Sequence, residues 1–135
     1  MNIIVLTLAF AILAVLIYQF LKPYRQAPKQ DVPKDTAYVH FFYTDWCGHS
    51  QNAQPHWEKL EETLRATPQF GSTKVIAKKV DCEEDREMCD TYGVEGYPTI
   101  KLEAVDGIRE FTKKVTHDNL LSFLRNELGK ESKSL

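Results

Sequence analysis

Hydrophobic residues are distributed very unevenly along this chain of 135 residues. Residues 3–21, IIVLTLAFAILAVLIYQFL, carry no charge, and a helix of that length spans about 30 Å, the thickness of a bilayer core. This pattern predicts a single-pass transmembrane anchor over residues 1–21, with membrane lipid as its partner. A cleaved signal peptide is the alternative. No Lys or Arg precedes the stretch, however, and it ends in large residues instead of a small-x-small cleavage site.

The next segment changes character abruptly. Residues 22–36, KPYRQAPKQDVPKDT, contain three prolines and several charges, a composition typical of an extended, solvated linker. The globular part is predicted over residues 37–129, followed by a polar tail over residues 130–135.

Within the globular part, the hydrophobic period switches between that of strands and that of helices. Residues 37–43, AYVHFFY, indicate a buried strand. Residues 48–66 indicate a helix that buries Ala53, Trp57, Leu60 and Leu64, with a kink at Pro55. The remaining predicted elements are a strand over residues 73–80, a short helix over 83–92, a hairpin of strands 99–105 and 107–113 around Asp106-Gly107, and a helix opened by residues 116–118. The order βαβαββα predicts an α/β fold.

Composition and charge narrow the classes of function. The 17 basic and 19 acidic residues give a net charge of −2 without a basic cluster, so no nucleic-acid partner is expected. Cys47, His49, His56 and Cys82 do not form two close ligand pairs, so no metal site is expected. The chain contains no G-x-S-x-G hydrolase motif, and nothing in it indicates a cofactor.

The segment WCGHS, residues 46–50, falls where the first predicted strand ends and the first helix of the globular part begins. A cysteine at a helix N-terminus lies near unpaired backbone N–H groups, which stabilise its thiolate. A protonated His49 would add positive charge beside it. Cys47 is therefore a candidate reactive thiol, and a buried structural cysteine is the alternative.

Two longer segments carry a resemblance to a known family. FFYTDWCGHSQNAQPHWEKL and VDCEEDREMCDTYGVEGYPTIK resemble the active-site and cis-proline segments of the thioredoxin superfamily, most of all those of protein disulfide isomerase domains. The resemblance covers roughly residues 37–129 and implies a thioredoxin fold trimmed to its core. It also implies thiol–disulfide exchange, with Cys47, His49 and Ser50 as catalytic residues and Trp46, Tyr97 and Pro98 as substrate-binding residues. Clients would be proteins with cysteines or disulfides, bound by strand addition at Pro98.

The sequence departs from that family at positions that serve one half-reaction. Ser50 replaces the resolving cysteine, and a hydroxyl cannot attack a mixed disulfide, although it can donate a hydrogen bond to the Cys47 thiolate. Phe41 stands where the family has a buried acid, and His40, one residue away, is expected on the opposite face of the strand. Val115 stands where the isomerase domains have an arginine.

These departures predict a single-thiol mechanism. A lone thiolate can attack a client disulfide and hold the mixed disulfide until a client thiol, or glutathione, expels it. The expected outcome is isomerase-like exchange or client trapping. The alternative is a redox-silent module that binds extended peptides in the cis-proline groove.

The resemblance also bears on Cys82 and Cys89, because some protein disulfide isomerase domains carry a cysteine pair at these places. It implies a structural disulfide, with two buried free thiols as the alternative.

The side of the membrane is indicated in two opposite ways. The basic residues after the anchor favour a cytosolic domain. The family resemblance and a Cys82–Cys89 bridge favour the lumenal side of the secretory pathway, which is the side we expect. A virion or host membrane is a third setting if the chain is encoded by a virus.

Overall fold

The computed structural model describes residues 2–20 and 31–129. The predicted tail, residues 130–135, and the predicted linker up to residue 30 lie outside the described residues. The elements in chain order are α1 (Ile3–Phe20), β1 (Thr36–Tyr43), α2 (Gly48–Ala66), β2 (Gln69–Phe70), β3 (Thr73–Asp81), α3 (Arg86–Thr91), β4 (Thr99–Ala104), β5 (Gly107–Glu110) and α4 (His117–Leu128).

Residues 31–129 form a mixed α/β fold around one five-stranded sheet with the order β2-β3-β1-β4-β5. The central strand β1 runs parallel to β3, with Tyr43 opposite Asp81, and antiparallel to β4, with Phe42 opposite Thr99. The predicted α/β fold and its order βαβαββα are confirmed, with β2 as an additional strand.

The main core lies between one face of the sheet and the helices α2 and α4. Because side chains alternate along a strand, Val39 and Phe41 of β1 face this core, where the Phe41 ring stacks on Trp57 at 5.1 Å between centroids. The predicted inward face of α2, including Trp57 and Leu60, is buried there. Leu120 and Leu124 of α4 are buried in the same core.

A smaller core lies on the opposite face of the sheet, under α3. It is formed by Phe42, Val80, Cys82, Cys89 and Tyr92, and Tyr97 packs against it. This small core fixes α3, and the loop that follows α3, against the ends of β1 and β3.

Two predicted boundaries differ from the structure by more than one residue. The short helix begins at Arg86 instead of residue 83, because the Asp85 side chain accepts a hydrogen bond from Met88 N and so caps the helix at that point. Strand β5 ends at Glu110 instead of residue 113, because Phe111 turns into the main core and packs edge-on against Phe123.

The apolar N-terminal stretch forms the helix α1, Ile3–Phe20. Among residues 2–20 and 31–129, however, no helix has the combined length and apolar character that a membrane span requires. The prediction of a single-pass transmembrane anchor is therefore not supported.

Candidate functional site

Cys47 lies at the junction of β1 and α2, at the end of the sheet where the parallel strands β1 and β3 finish. It is the N-cap residue of α2, in an extended conformation, and its backbone N–H donates to Thr44 O at 3.4 Å. Its carbonyl accepts from Gln51 N, and the Gln51 side chain donates to Asp45 O at 2.7 Å. The loop before the helix is thus held from both sides, and the thiol is placed beside the free N–H groups of the first helical turn.

The loop after α3 comes within reach of the thiol. Cys47 Sγ donates to Tyr97 O at 3.5 Å, and the Tyr97–Pro98 peptide bond is cis. The Trp46 ring is 66% exposed and meets the Tyr97 ring edge-on at 6.1 Å between centroids. The structure therefore brings together Trp46, Cys47, Tyr97 and Pro98, which come from two segments about fifty residues apart.

The pKa of Cys47 is lowered from its ordinary value. The largest cause is the backbone N–H of Ser50, with further contributions from the backbone N–H of His49 and the Ser50 side chain, while partial burial of the sulfur opposes them. The two backbone N–H groups and the Ser50 hydroxyl lie near the sulfur and favour the thiolate over the thiol. The helix N-terminus thus supplies the activation that the sequence predicted.

Ser50 lies three positions after Cys47, in the first turn of α2. Its side chain is fully buried, and within the described residues Ser50 Oγ has no hydrogen-bond partner. A buried hydroxyl without a partner is unusual, and this one is close enough to the sulfur to act on the pKa of Cys47. The side chain of His49 is exposed beside it.

Phe41 and Val115, two further positions at which the sequence departs from the family resemblance, hold apolar side chains. Phe41 is completely buried against Trp57, and half-buried Val115 packs against the main core. Lys79, opposite Phe41 in the register, is exposed with its Nζ 4.6 Å from the centre of the Tyr43 ring. No carboxylate therefore stands at position 41 to carry protons to or from the thiol.

Cys82 and Cys89 form a disulfide, with 5.8 Å between their Cα atoms. Both residues are buried in the small core. The bridge links the end of β3 to the body of α3, and Cys82 N donates to Tyr43 O at 2.9 Å. Of the three cysteines, Cys47 is the one with a free thiol.

A buried polar cluster on the small-core face was not predicted from the sequence. The Glu103 carboxylate accepts from Tyr92 OH at 2.7 Å and lies 3.1 Å from His40 Nε2. Burial lowers the pKa of His40, against the raising effect of Glu103, and burial with the same carboxylate raises the pKa of Tyr92. In β4, TIKLEA, Glu103 falls on the side of the strand that also carries Thr99 and Lys101, so no pattern in the sequence indicated that this carboxylate is buried.

Within the described part of the chain, no group of three or more His, Cys, Asp or Glu residues is arranged to hold a metal ion. The candidate site consists of the thiol, the donors of α2 and the exposed rings of Trp46 and Tyr97.

Comparison with known proteins identifies the family of this chain. The family model described as Thioredoxin matches residues 22–126. A probable protein disulfide-isomerase A6 from Medicago sativa is 32% identical over 103 residues, which are 75% of this chain and 27% of that protein. A thioredoxin domain-containing protein 5 homolog from Drosophila melanogaster is 36% identical over 90 residues, covering 65% of this chain and 21% of the relative. The chain thus spans about a quarter of the length of these relatives.

Solved structures show the same fold. The Trx4 domain of ERdj5 superposes with a TM-score of 0.56 at 27% identity, covering 70% of this chain and 81% of that domain. Human ERp44 superposes with a TM-score of 0.60 at 24% identity, covering 70% of this chain and 28% of ERp44.

Proposed function

Since the chain belongs to the thioredoxin family, we propose that it carries out thiol–disulfide exchange through the single thiol of Cys47. One observation supports this above all. The free thiol lies at a helix N-terminus whose N–H groups lower its pKa, while the position of a resolving cysteine holds the buried hydroxyl of Ser50.

The proposed reaction begins with attack of the Cys47 thiolate on one sulfur of a client disulfide. A disulfide forms between Cys47 and the client, and the other client sulfur leaves as a thiolate. In a dithiol enzyme, the second cysteine would then attack Cys47 and release the reduced client. Ser50 cannot do so, so the mixed disulfide persists until a thiol from outside the domain attacks it.

The second thiol determines the outcome. Another thiolate of the same client can attack the client sulfur that is bonded to Cys47. Cys47 then leaves as a thiolate, and the client has exchanged one disulfide for another without net oxidation. If no client thiol is in reach, the client stays covalently bound until glutathione or a similar thiol releases it. Isomerase-like exchange and client retention are thus two results of one mechanism.

We further propose that the protein works in an oxidising compartment, such as the lumen of the secretory pathway. The buried Cys82–Cys89 disulfide and the protein disulfide isomerase relatives support this placement, because disulfides persist where the surroundings are oxidising.

The test is covalent capture of a protein substrate with scrambled disulfides, followed by acid quenching and non-reducing electrophoresis. The wild-type protein is expected to form a complex with the substrate that is cleaved by added thiol, and the Cys47→Ala variant is expected to form none. A complex of equal yield with Cys47→Ala would refute the proposal.

A redox-silent peptide-binding module is the second candidate, and the exposed Trp46 ring beside Tyr97 favours it. This candidate predicts that Cys47→Ala binds an extended, cysteine-free peptide as tightly as the wild type, and that Trp46→Ala weakens that binding. Fluorescence anisotropy with a labelled peptide separates the two candidates.

A further inference from the structure

Negative charge gathers on one side of the candidate site. Four carboxylates stand there, and we call them the acidic rim: Asp45 in the loop before α2, Asp81 at the end of β3, and Glu83 and Glu84 in the turn that follows it. Asp45, Glu83 and Glu84 are exposed and Asp81 is half-buried. The charges therefore face whatever approaches Cys47 from the β3 side.

The sheet register brings the acidic rim close to Tyr43, at the start of the segment that leads into Cys47. Asp81 lies opposite Tyr43, and neighbouring strands are about 4.8 Å apart. Cys82 N is bonded to Tyr43 O, so the turn with Glu83 and Glu84 begins beside the residues that lead into Cys47. The pKa of Tyr43 is an independent sign of this proximity. It is raised most by burial, and then by the negative charges of Asp81, Asp45 and Glu84, in that order.

Opposing charges near the acidic rim are fewer. Lys79 lies two residues before Asp81 on β3, with its Nζ 4.6 Å from the centre of the Tyr43 ring, so one basic side chain stands beside the four carboxylates. Within residues 81–90 there are six carboxylates and one basic residue, Arg86. Lys113 and Lys114 follow β5 at the same end of the sheet, but β5 is separated from β1 by β4, whereas β3 is its direct neighbour. The field on the β3 side of Cys47 is therefore negative.

The centre of this surface is a reactive site and not a bare cluster of charges. Trp46 is exposed there, and Ser50 Oγ is fully buried, without a partner in the described residues, and placed to act on Cys47 Sγ. The carboxylates of the acidic rim can therefore act on the charge of a client that approaches this thiol.

We infer that the site selects client segments with basic residues beside the reacting cysteine, and disfavours anionic disulfides such as oxidised glutathione. This inference rests on the proposed single-thiol exchange. Attraction by the acidic rim raises the local concentration of a cationic segment before the Cys47 thiolate attacks its disulfide.

The experiment measures the rate at which Cys47 forms a mixed disulfide with three peptide probes. Each probe carries one cysteine in a disulfide with the same leaving thiol, flanked by two lysines, two serines or two glutamates. At low ionic strength, the lysine probe is expected to react roughly tenfold faster than the glutamate probe, and the ratio should shrink toward one in about 0.5 M salt.

Two double variants with equal change in net charge identify the source of the preference. Glu83→Gln with Glu84→Gln removes half of the acidic rim and should lower the lysine-to-glutamate ratio by roughly threefold. Glu58→Gln with Glu62→Gln changes exposed residues of α2 that lie 11 and 15 positions after Cys47, more than about 16 Å along the helix, and should leave the ratio unchanged. Comparing ratios between variants cancels the intrinsic reactivity of each probe.

The two kinds of failure are distinguishable. If the serine probe forms no adduct on Cys47, single-thiol exchange itself is wrong, and the inference is overturned with it. If the serine probe reacts but the three probes react alike, or both double variants lower the ratio equally, the exchange stands and selection by the acidic rim is wrong.

Discussion

Ser50 and Cys47 form the smallest unit on which the proposed chemistry depends. The thiol sits beside backbone donors that any residue at positions 49 and 50 would supply, so the serine hydroxyl is the part of the activation that a side-chain substitution can remove. The same hydroxyl leaves the domain without a resolving thiol. Activation and persistence of the mixed disulfide therefore both depend on residue 50.

Replacing Ser50 by Ala is expected to raise the pKa of Cys47, because the thiolate loses a side-chain donor. Alkylation by the neutral reagent iodoacetamide should then slow near pH 7, by at most roughly tenfold. The full rate should return at high pH, where the thiol is ionised in both proteins. An unchanged rate–pH profile would show that the hydroxyl does not reach the sulfur.

The Ser50→Cys variant introduces a second thiol but not a proton carrier, because buried Phe41 stands where the family resemblance implies an acid. We expect the introduced thiol to close a disulfide with Cys47, and the variant to gain partial reductase activity in an insulin-reduction assay. Turnover equal to that of a protein disulfide isomerase domain would mean that the role given to Phe41 is wrong.

Several of these residues were predictable from the sequence and others were not. Cys47 and Tyr97 stand in segments with specific patterns, so their proximity followed from the resemblance. The cluster of His40, Tyr92 and Glu103 depends on side chains that meet only after β1, β4 and the end of α3 have packed. No local sequence pattern predicts these long-range contacts.

At the scale of elements, α3 is a short helix that depends on its attachments. It has six residues, too few for a stable isolated helix. It is held by the Asp85 cap, by the packing of Cys89 and Tyr92 in the small core, and by the disulfide to Cys82. Because Tyr97 packs against the same small core, the position of the loop that carries Tyr97 and Pro98 depends on α3.

Replacing both Cys82 and Cys89 by Ala is expected to lower the free energy of unfolding by about 2–3 kcal/mol, since the bridge closes a short loop in the unfolded chain. Urea unfolding followed by tryptophan fluorescence, which buried Trp57 and exposed Trp46 both contribute to, measures this loss. Cys47 should still react with iodoacetamide in the native protein. No loss of stability would show that the bridge adds nothing to the packing of α3.

The elements also show where the spacing of hydrophobic residues is enough to predict secondary structure and where it is not. Helix α2 was predicted over its observed bounds, 48–66, because its buried positions recur at helical spacing over five turns. Strand β2 has two residues, Gln69 and Phe70, which is too short for an alternating pattern to appear. The start of α3 was misplaced because acidic residues suit both a first turn and the loop before it, and only the Asp85 hydrogen bond separates the two.

For the whole molecule, the His40 cluster ties stability to pH. Burial lowers the pKa of folded His40 below its ordinary value of 6.5, and Lys78 on β3 adds to that effect while Glu103 opposes it. Below pH 6.5, His40 therefore binds a proton more readily in the unfolded chain than in the folded protein. The contribution of neutral His40 to the free energy of unfolding is fully present above pH 6.5. It is lost as the pH falls toward the pKa of His40 in the folded protein.

We accordingly expect the free energy of unfolding to decline below pH 6.5 with a His40 contribution of up to about 1.4 kcal/mol per pH unit. The variant His40→Gln keeps a donor for Glu103 but does not titrate, so its decline should be shallower. His56→Gln on α2 is the matched control. Parallel declines in the wild type and His40→Gln, measured by urea unfolding at several pH values, would contradict this assignment.

The central claim, that one activated thiol holds a client in a mixed disulfide, is tested most directly by the lifetime of that species. The wild-type protein is mixed with a neutral peptide disulfide, unreacted peptide is removed, and intact mass is followed with time. We predict one adduct on Cys47 that persists without added thiol and disappears when thiol is added, while Ser50→Cys sheds the peptide unaided and Cys47→Ala forms no adduct. Absence of an adduct in the wild type, or its spontaneous loss at the rate seen in Ser50→Cys, would contradict the account.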